Sequence, residues 1–139
     1  MATITSFISG QQEHADLGGR VVRAENKLNF ATTNVAGADV VQALKIPANA
    51  LVDKVWTVIT TAEGATATGT VGDGTTANGW DASININATA GTVLCSLEAT
   101  DTYGKGKLYS TADTIDIVPA DALDAAVVHI IAQYTILEK

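Results

Sequence analysis

The sequence predicts an all-β fold: an antiparallel β-sandwich, jelly-roll-like in arrangement, with an extended N-terminal arm. Thr, Ala, Val, Ile and Gly are frequent, whereas Leu, Glu, Lys and Arg, the usual residues of surface helices, are scarce. From Lys27 onward the chain reads as short apolar segments separated by turn residues, and many of them alternate with period two. Because this spacing leaves no room for crossover helices, antiparallel packing into a sandwich or barrel is expected.

The 139 residues suffice for one domain with one hydrophobic core. We divide the chain into an N-terminal arm, residues 1–27, and a β-sandwich domain, residues 28–139. The arm is polar and contains both arginines of the chain, Arg20 and Arg23. We interpret it as a segment that packs on a partner or on a neighbouring copy, and a frayed terminus is the alternative. A short helix over residues 9–17 is the one helical option there.

Eight or nine short strands are expected in the body. In chain order the predicted segments are residues 28–35, 40–46, 51–62, 65–71, 82–88, 92–98, 108–110, 114–118 and 125–137. In the third segment Val55, Thr57 and Ile59 share one face, and Trp56 and Val58 share the other. Apolar groups on both faces predict a strand that is covered on both sides, by the core and by a partner or the arm.

Alternation assigns inward and outward side chains in the other strands as well. The residues expected to share inward faces are Val40, Leu44, Ile46, Ile84, Ile86, Ile115, Ile117, Val128, Ile130, Ala132, Tyr134 and Ile136. The residues expected to point outward include Lys45, Asn85, Asn87, Asp116, His129 and Gln133.

The charge balance excludes some partners. Eight Lys and Arg face fifteen Asp and Glu, for a net charge of −7. Nucleic-acid binding and docking on anionic membranes both require a basic surface, so neither is expected. No signal peptide is expected at Met1–Ile8, and no segment approaches the ~20 apolar residues of a membrane-spanning helix. On a virus particle this charge suits the outside of the shell.

Residues for catalysis or metal binding are few. His14 and His129 are far apart in the sequence, no Gly-x-Ser-x-Gly elbow is present, and one cysteine with two histidines does not make a zinc site. Gly104-Lys105-Gly106-Lys107 lacks the pattern of a phosphate-binding loop and is interpreted as a hairpin with lysine at its tip. The protein is therefore expected not to be an enzyme and to need no cofactor.

Protein binding is the remaining source of function. Trp80 follows Asn78-Gly79 at a loop end and is expected to be exposed, whereas the core is favoured for Trp56. Tryptophan and arginine are enriched among the residues that dominate binding energy. Arg20, Arg23, Trp80 and Lys105 are accordingly the candidate partner-binding residues.

Three stretches carry a resemblance to a known family. They are residues 55–62 leading to 71–74, residues 107–117, and residues 122–126 followed by 127–134. The stretch that contains them, residues 40–139, is similar to head decoration (cement) proteins of tailed bacteriophages. No functional residue can be carried over from that family position by position.

The resemblance implies a non-enzymatic jelly-roll or sandwich protein on the outer capsid surface, made in the host cytoplasm. The implied partners are the major capsid protein and neighbouring copies of the chain, as a dimer or trimer. A tail or baseplate component and a carbohydrate-binding sandwich stay open as alternatives. A small jelly-roll enzyme is a third, although the histidine-rich metal site of such an enzyme is absent from the sequence.

Overall fold

The fold is almost entirely β, as the sequence predicts. The computed structural model describes residues 1–15, 21–96 and 102–137. Its strands are β1 (Thr3–Ile4), β2 (Gln12–Ala15), β3 (Val21–Asn29), β4 (Val40–Ile46), β5 (Ala50–Thr61), β6 (Thr68–Asp73), β7 (Asp81–Asn85), β8 (Thr92–Cys95), β9 (Lys107–Tyr109), β10 (Asp113–Pro119) and β11 (Val127–Ile136). The only helical element in this part of the chain is a 3-10 helix, Ser6–Gly10.

The strands form two sheets. Sheet A has the order β1-β4-β10-β6-β7, and sheet B has the order β2-β3-β11-β5-β8, with β9 pairing with the other end of β5. Apart from the short parallel pair β1–β4, all pairs are antiparallel. The pairs β6–β7, β5–β8, β4–β10 and β3–β11 are nested within one another along the chain. One long hairpin that is rolled into two sheets gives this nesting, which is the jelly-roll arrangement.

A single hydrophobic core fills the space between the sheets. Its largest fully buried side chains are Trp80, Phe30, Leu28, Leu44, Ile46, Ile59, Ile84, Ile86, Ile115, Ile117, Leu123 and Ile130. In β11 the predicted alternation is confirmed as far as Tyr134, and His129 and Gln133 lie on the outer side. Ile136 is 45% exposed because it pairs with Ala50, the first residue of β5, at the end of the sheet.

The alternation predicted for β4 is wrong at its N-terminal end. Leu44 pairs with Ile115 and Gln42 pairs with Asp116, so Ala43 is an extra residue that forms a β-bulge. The bulge reverses the alternation, and Val41 and Ala43 are therefore buried where Val40 was expected.

Asp116 points to the outer side of sheet A, as predicted, but it is also buried. Its cross-strand neighbour on β6 is Gly72, where a Cβ would lie 2.0 Å from the carbonyl oxygen of Thr76. The loop after β6 therefore lies over this part of the outer face, and Asp116 is left only 3% exposed.

The predicted division at residue 27 falls inside a strand. β3 begins at Val21 and pairs with β11 along its whole length, so residues 21–27 belong to sheet B. The sequence did not predict β3 as a strand because one of its inward positions is the polar residue Asn26, which is 2% exposed. Its Nδ2 donates to the carbonyl oxygens of Phe7 at 2.7 Å and Ala43 at 2.8 Å, so both hydrogens of the buried amide are used.

Residues 1–15 lie along the edges of both sheets. β1 pairs with β4, and β2 pairs with β3. The predicted helix over residues 9–17 is wrong within the described residues, where a 3-10 helix ends at Gly10 and a strand begins at Gln12. Between these elements the side-chain amide of Gln11 makes the two hydrogen bonds to Lys45 that a neighbouring strand would make. Its Oε1 accepts from the N–H of Lys45 at 2.7 Å, and its Nε2 donates to the Lys45 carbonyl at 3.2 Å.

Candidate protein-binding surface

Three of the four predicted binding residues lie in the described part of the chain, and only two of these are at the surface. Arg23 is exposed on the outer face of sheet B, and Lys105 is exposed in the turn before β9. Trp80 is in the core, and Arg20 lies outside the described residues. A role for Arg23 and Lys105 in binding stays a prediction.

The prediction that Trp80 is exposed is wrong. Its side chain is 0% exposed, its Nε1 donates to the Tyr109 hydroxyl at 3.0 Å, and its ring meets the Tyr103 ring edge-on at 5.2 Å between centroids. Gly79 permits this packing because a Cβ there would lie 2.1 Å from Cε2 of Tyr103. The Asn78-Gly79 turn therefore directs the indole inward, where it fills the core.

A buried polar network surrounds Trp80 and joins the two sheets. Asp73, at the end of β6, accepts hydrogen bonds from the Tyr109 hydroxyl at 2.8 Å and from Nζ of Lys107 on β9. The Lys107 ammonium also lies 4.5 Å from the ring centroid of Tyr103 and 4.6 Å from that of Tyr109. Because sheet A supplies the carboxylate and β9 of sheet B supplies the lysine and a tyrosine, the network fastens one sheet to the other.

The pKa values in this network fit a structural role. Burial opposes ionisation of Asp73, but hydrogen bonds from Lys107, Tyr109 and the backbone of the following turn outweigh it, so its pKa is lowered. The pKa of Lys107 is raised: its burial favours the neutral amine, but the hydrogen bond to Asp73 outweighs that effect. Burial strongly raises the pKa of the Tyr109 hydroxyl. The network is thus an ion pair beside a neutral Tyr109, held inside the protein.

No cluster of metal-ligating side chains occurs in the described part of the chain. Within residues 1–15, 21–96 and 102–137, no three His, Cys, Asp or Glu side chains are grouped so as to hold a metal ion. His129 points outward from β11, and its cross-strand neighbours are Lys27 and Val58, so no hydroxyl or thiol is paired with it across the strands. In the same residues there is no helix with the length and apolarity of a membrane span.

The outer face of sheet B carries the features of a protein-binding surface. We call it the Trp56 face; its side chains are Arg23, Glu25 and Lys27 of β3, His129, Ile131 and Gln133 of β11, Asp53, Lys54, Trp56 and Val58 of β5, and Val93 and Cys95 of β8. Trp56 pairs with Ile131 on one side and Cys95 on the other. The core position favoured for Trp56 is therefore wrong, and its ring is half-buried on the outside of the sheet.

Two cations lie against the Trp56 ring. The guanidinium carbon of Arg23 is 5.1 Å from the ring centroid, and Nζ of Lys54 is 5.9 Å from it. Arg23 also donates to Oε1 of Gln133 at 3.1 Å, and Nε2 of Gln133 donates to Asp53 at 3.2 Å. These contacts cross three strands and hold an aromatic ring and an arginine, both common at binding hot spots, in fixed positions.

The Trp56 face is less acidic than the chain as a whole. It carries Arg23, Lys27 and Lys54 against Glu25 and Asp53, a balance of +1 when the imidazole is neutral. Because the whole chain has a net charge of −7, the rest of the molecule carries −8. Sequence reasoning missed this surface, since it requires β3 to be recognised as a strand beside β11.

Two open grooves beside the N-terminal segment form a second candidate surface. One of about 760 Å³ is lined by Thr5, Ile8, Ser9, Gln11, Gln12, Glu13, Gln42 and Lys45. The other, of about 500 Å³, is lined by Glu13, Lys45, Ile46, Pro47, Ala112, Asp113, Thr114 and Tyr134. They meet at Glu13 and Lys45, between β2 of sheet B and β4 of sheet A.

Comparison with known proteins gives matches only at the level of structure. No protein-family model and no curated protein sequence matches the chain. A chain in the capsid of Ralstonia phage GP4 superposes with a TM-score of 0.67 and 17% identity, covering 99% of each chain. A chain in the acidic stable capsid structure of Helicobacter pylori bacteriophage KHP30 gives a TM-score of 0.62 and 14% identity, covering 90% of this chain and 92% of the other.

A third match comes from the cyanophage Pam1 capsid asymmetric unit. Its TM-score is 0.62 at 20% identity, with 84% of this chain and 85% of that chain covered. The chain has the fold of these capsid chains. The match covers 85–99% of those three chains and 84–99% of this one, so it includes strands of both sheets.

Proposed function

We propose that the protein is a structural component of a tailed-phage virion. It binds the outer surface of the capsid and stabilises contacts between major capsid protein subunits, as a decoration protein does. The observation that carries this proposal is the end-to-end fold match to chains of phage capsid structures, which covers 99% of both chains in the phage GP4 case. The match is one of fold, so the role is inferred by analogy with those capsid chains.

The charge of the chain supports a position outside the shell. A protein on the inner surface faces the phosphates of the packaged genome, and a net charge of −7 would be repelled there. The cations that could offset this repulsion are not gathered into one basic patch, since Lys45 lies on sheet A and the Lys107 ammonium is paired with the buried Asp73.

The described surface supports binding to protein. The Trp56 face combines an aromatic ring, an arginine and aliphatic side chains, and the grooves beside residues 1–15 adjoin the edge strand β2. The proposal assigns the chain no catalytic activity and no cofactor. Many copies on one shell would make modest individual contacts effective through avidity.

Binding to empty heads tests the proposal. Heads from a phage that lacks the gene for this chain would be mixed with the labelled protein and sedimented. We expect saturable binding to a fixed number of sites per head, competition by unlabelled protein, and release of the genome at a higher temperature once the sites are filled. Failure to bind heads, together with saturable binding to isolated tails, would contradict a capsid role and favour a tail or baseplate component.

A further inference from the structure

We propose that the Trp56 face is a docking surface for a second copy of this chain, giving a twofold-symmetric dimer. The centre of the face is apolar. Trp56, Val58 and Ile131 are half-buried on the two central strands β5 and β11, and Val93 on β8 is 60% exposed. In the described part of the chain no strand or helix packs over these side chains. A contiguous apolar patch with a polar rim is typical of a protein interface.

The size of the face is sufficient for a small interface. It spans four strands, of which β11 has ten residues and β8 has four. At ~4.8 Å between strands and ~3.3 Å per residue, the four strands cover roughly 550 Å² of sheet. Two copies would therefore bury about 1,100 Å² in all, which is at the low end for specific protein–protein interfaces and fits a monomer–dimer equilibrium.

Charge favours a second copy as the occupant. Two chains of net charge −7 repel each other, and the repulsion is smallest where the Trp56 face of one meets that of the other, since each face carries about +1. The face is also self-complementary along β3, where Arg23 and Glu25 point the same way two residues apart. A twofold axis that lies between the two faces, perpendicular to the strands, can set Arg23 of one copy against Glu25 of the other.

The inference concerns the chain alone and does not depend on attachment to a capsid. If both proposals hold, a dimer formed through the Trp56 face leaves the grooves beside residues 1–15 of each copy free to contact the shell. Two attachment surfaces in one dimer would raise the apparent affinity for the capsid beyond that of either alone.

Sedimentation velocity over a range of concentrations tests the dimer. The full chain is expected to sediment as a monomer–dimer equilibrium. Ile131→Glu places a carboxylate at the centre of the face and should raise the dissociation constant roughly tenfold or more. The matched control is Val118→Glu, because Val118 is a half-buried outward residue of the central strand β10 in the opposite sheet. It should leave the dissociation constant within about twofold.

A second variant, Arg23→Glu, tests the face even if Ile131→Glu fails to fold. Arg23 is exposed, so Arg23→Glu should leave the circular dichroism spectrum unchanged and still weaken the dimer about tenfold. Lys45→Glu is its control, since it makes the same change in net charge at an exposed position of β4 away from the face. A dimer weakened equally by both reversals would reflect general repulsion and would overturn the assignment of the face.

The rate at which the one cysteine of the chain is alkylated measures independently whether the Trp56 face is covered. Cys95 pairs with Trp56 and lies on the face, so its alkylation should slow as the dimer forms with rising concentration. A chain that stays monomeric at about millimolar concentration, corresponding to a negligible affinity, would overturn the proposal. So would a trimer, or a dimer in which Cys95 is alkylated at the monomer rate.

Discussion

Asp116 is a carboxylate on the central strand of sheet A that is 3% exposed. Burial raises its pKa to about 6, and the hydrogen bond from Oγ1 of Thr114, at 2.7 Å, only partly opposes that increase. The charges of Asp113 and Asp73 raise it further. At neutral pH the fold therefore contains a buried carboxyl group whose ionised form is disfavoured.

This shift predicts that the protein becomes more stable as the pH falls from 7 to about 5. The folded pKa of Asp116, about 6, is above the ordinary carboxyl value of 3.8, so between these values the folded state binds more protons than the unfolded state. Asp116→Asn should raise the free energy of unfolding at pH 7 by ~1–3 kcal/mol and flatten this slope. Urea denaturation at pH 5 and pH 7 measures both, and the exposed Asp121→Asn serves as control. An unchanged slope in Asp116→Asn would contradict the prediction.

Glu63 has the opposite effect on acid stability. Burial raises its pKa, but the backbone N–H groups of Asp124 at 2.8 Å and Ala126 at 2.7 Å, with that of Ala125, outweigh burial, and the net pKa is lowered. Its contribution to stability is present above the ordinary glutamate pKa of 4.5 and is lost as the pH falls through the lowered pKa.

Glu63→Gln should therefore destabilise the protein by ~1–3 kcal/mol at pH 7, because the amide NH₂ cannot accept the hydrogen bonds that one carboxylate oxygen accepts. The variant should also lose part of the acid transition below about pH 4.5. Thermal unfolding at pH 7 and pH 3 measures both effects. Equal losses at the two pH values would show that the ionised carboxylate is not the stabilising form.

Ile130 and His129 test the assignment of faces in β11. Ile130 is fully buried and His129 is half-buried on the outer side. Ile130→Ala should cost ~2–5 kcal/mol because it leaves a cavity in the core, and His129→Ala should cost under about 1 kcal/mol. Denaturant unfolding of the two variants compares them directly, and equal costs would show that the face assignment is wrong.

At the scale of elements, residues 1–15 close the exposed edge of β4. β1 covers its first residues, the carbonyl of Ala43 is taken by Asn26, and Gln11 satisfies both backbone groups of Lys45. Asp39 anchors the beginning of this segment by accepting from the N–H of Ala2 at 2.9 Å. An open strand edge promotes pairing with other chains, so this cover protects the monomer.

Gln11→Ala should expose the backbone groups of Lys45 at that edge. The loss of free energy of unfolding should be about 1 kcal/mol, because the site is near solvent, but the rate of aggregation on heating should rise. Light scattering during a slow temperature increase measures the second effect. Gln12→Ala, at an exposed position of β2, is the control, and equal scattering from both variants would contradict a role for the Gln11 amide.

The sequence predicts an arm of residues 1–27 that is separate from the β-sandwich. Its C-terminal part, from Val21, is instead a strand of sheet B. Removing residues 1–24 would cut β3 and take away Ala24, which is fully buried, so a folded body is not expected from that deletion. Whether the segment also contacts a capsid stays a prediction. A test of attachment therefore needs point substitutions in the groove, such as at Glu13, in place of the deletion.

Alternation predicted most of the strands because each pleat places successive side chains on opposite faces. It succeeded in β5, β7 and β11, where most inward positions are apolar. It failed in β3, where Asn26 is buried in contact with distant backbone, and in β4, where a bulge reverses the pattern. Neither the backbone partners of Asn26 nor the bulge at Ala43 can be recognised from the residues next to them in the sequence.

The candidate surface was harder to predict than the fold. Trp80 was expected outside because it follows a turn, but its burial depends on Tyr103 and Tyr109, more than twenty residues away. Trp56 acquires its exposed position from the pairing of β5 with β8 and β11. Binding surfaces on sheets are assembled from several strands, so strand order has to be known before the surface can be recognised.

At the scale of the whole molecule, the nested strand pairs bring the two ends of the rolled hairpin together in sheet B. β3 and β11, the first and last strands of the rolled hairpin, lie side by side, and both contribute to the Trp56 face. The grooves beside residues 1–15 lie at the opposite margin of β3, next to β2 and β4. One small domain thus presents two distinct surfaces, which is what bridging between subunits requires.

A cryo-electron microscopy reconstruction of reconstituted heads tests the central claim, a structural role on the capsid, most directly. Heads that lack the chain would be imaged before and after addition of the purified protein. The account predicts new density on the outer surface, at contacts between major capsid protein subunits, into which the two-sheet sandwich fits. Heads that show no added density at saturating protein, or density confined to the inner surface or to the tail, would contradict it.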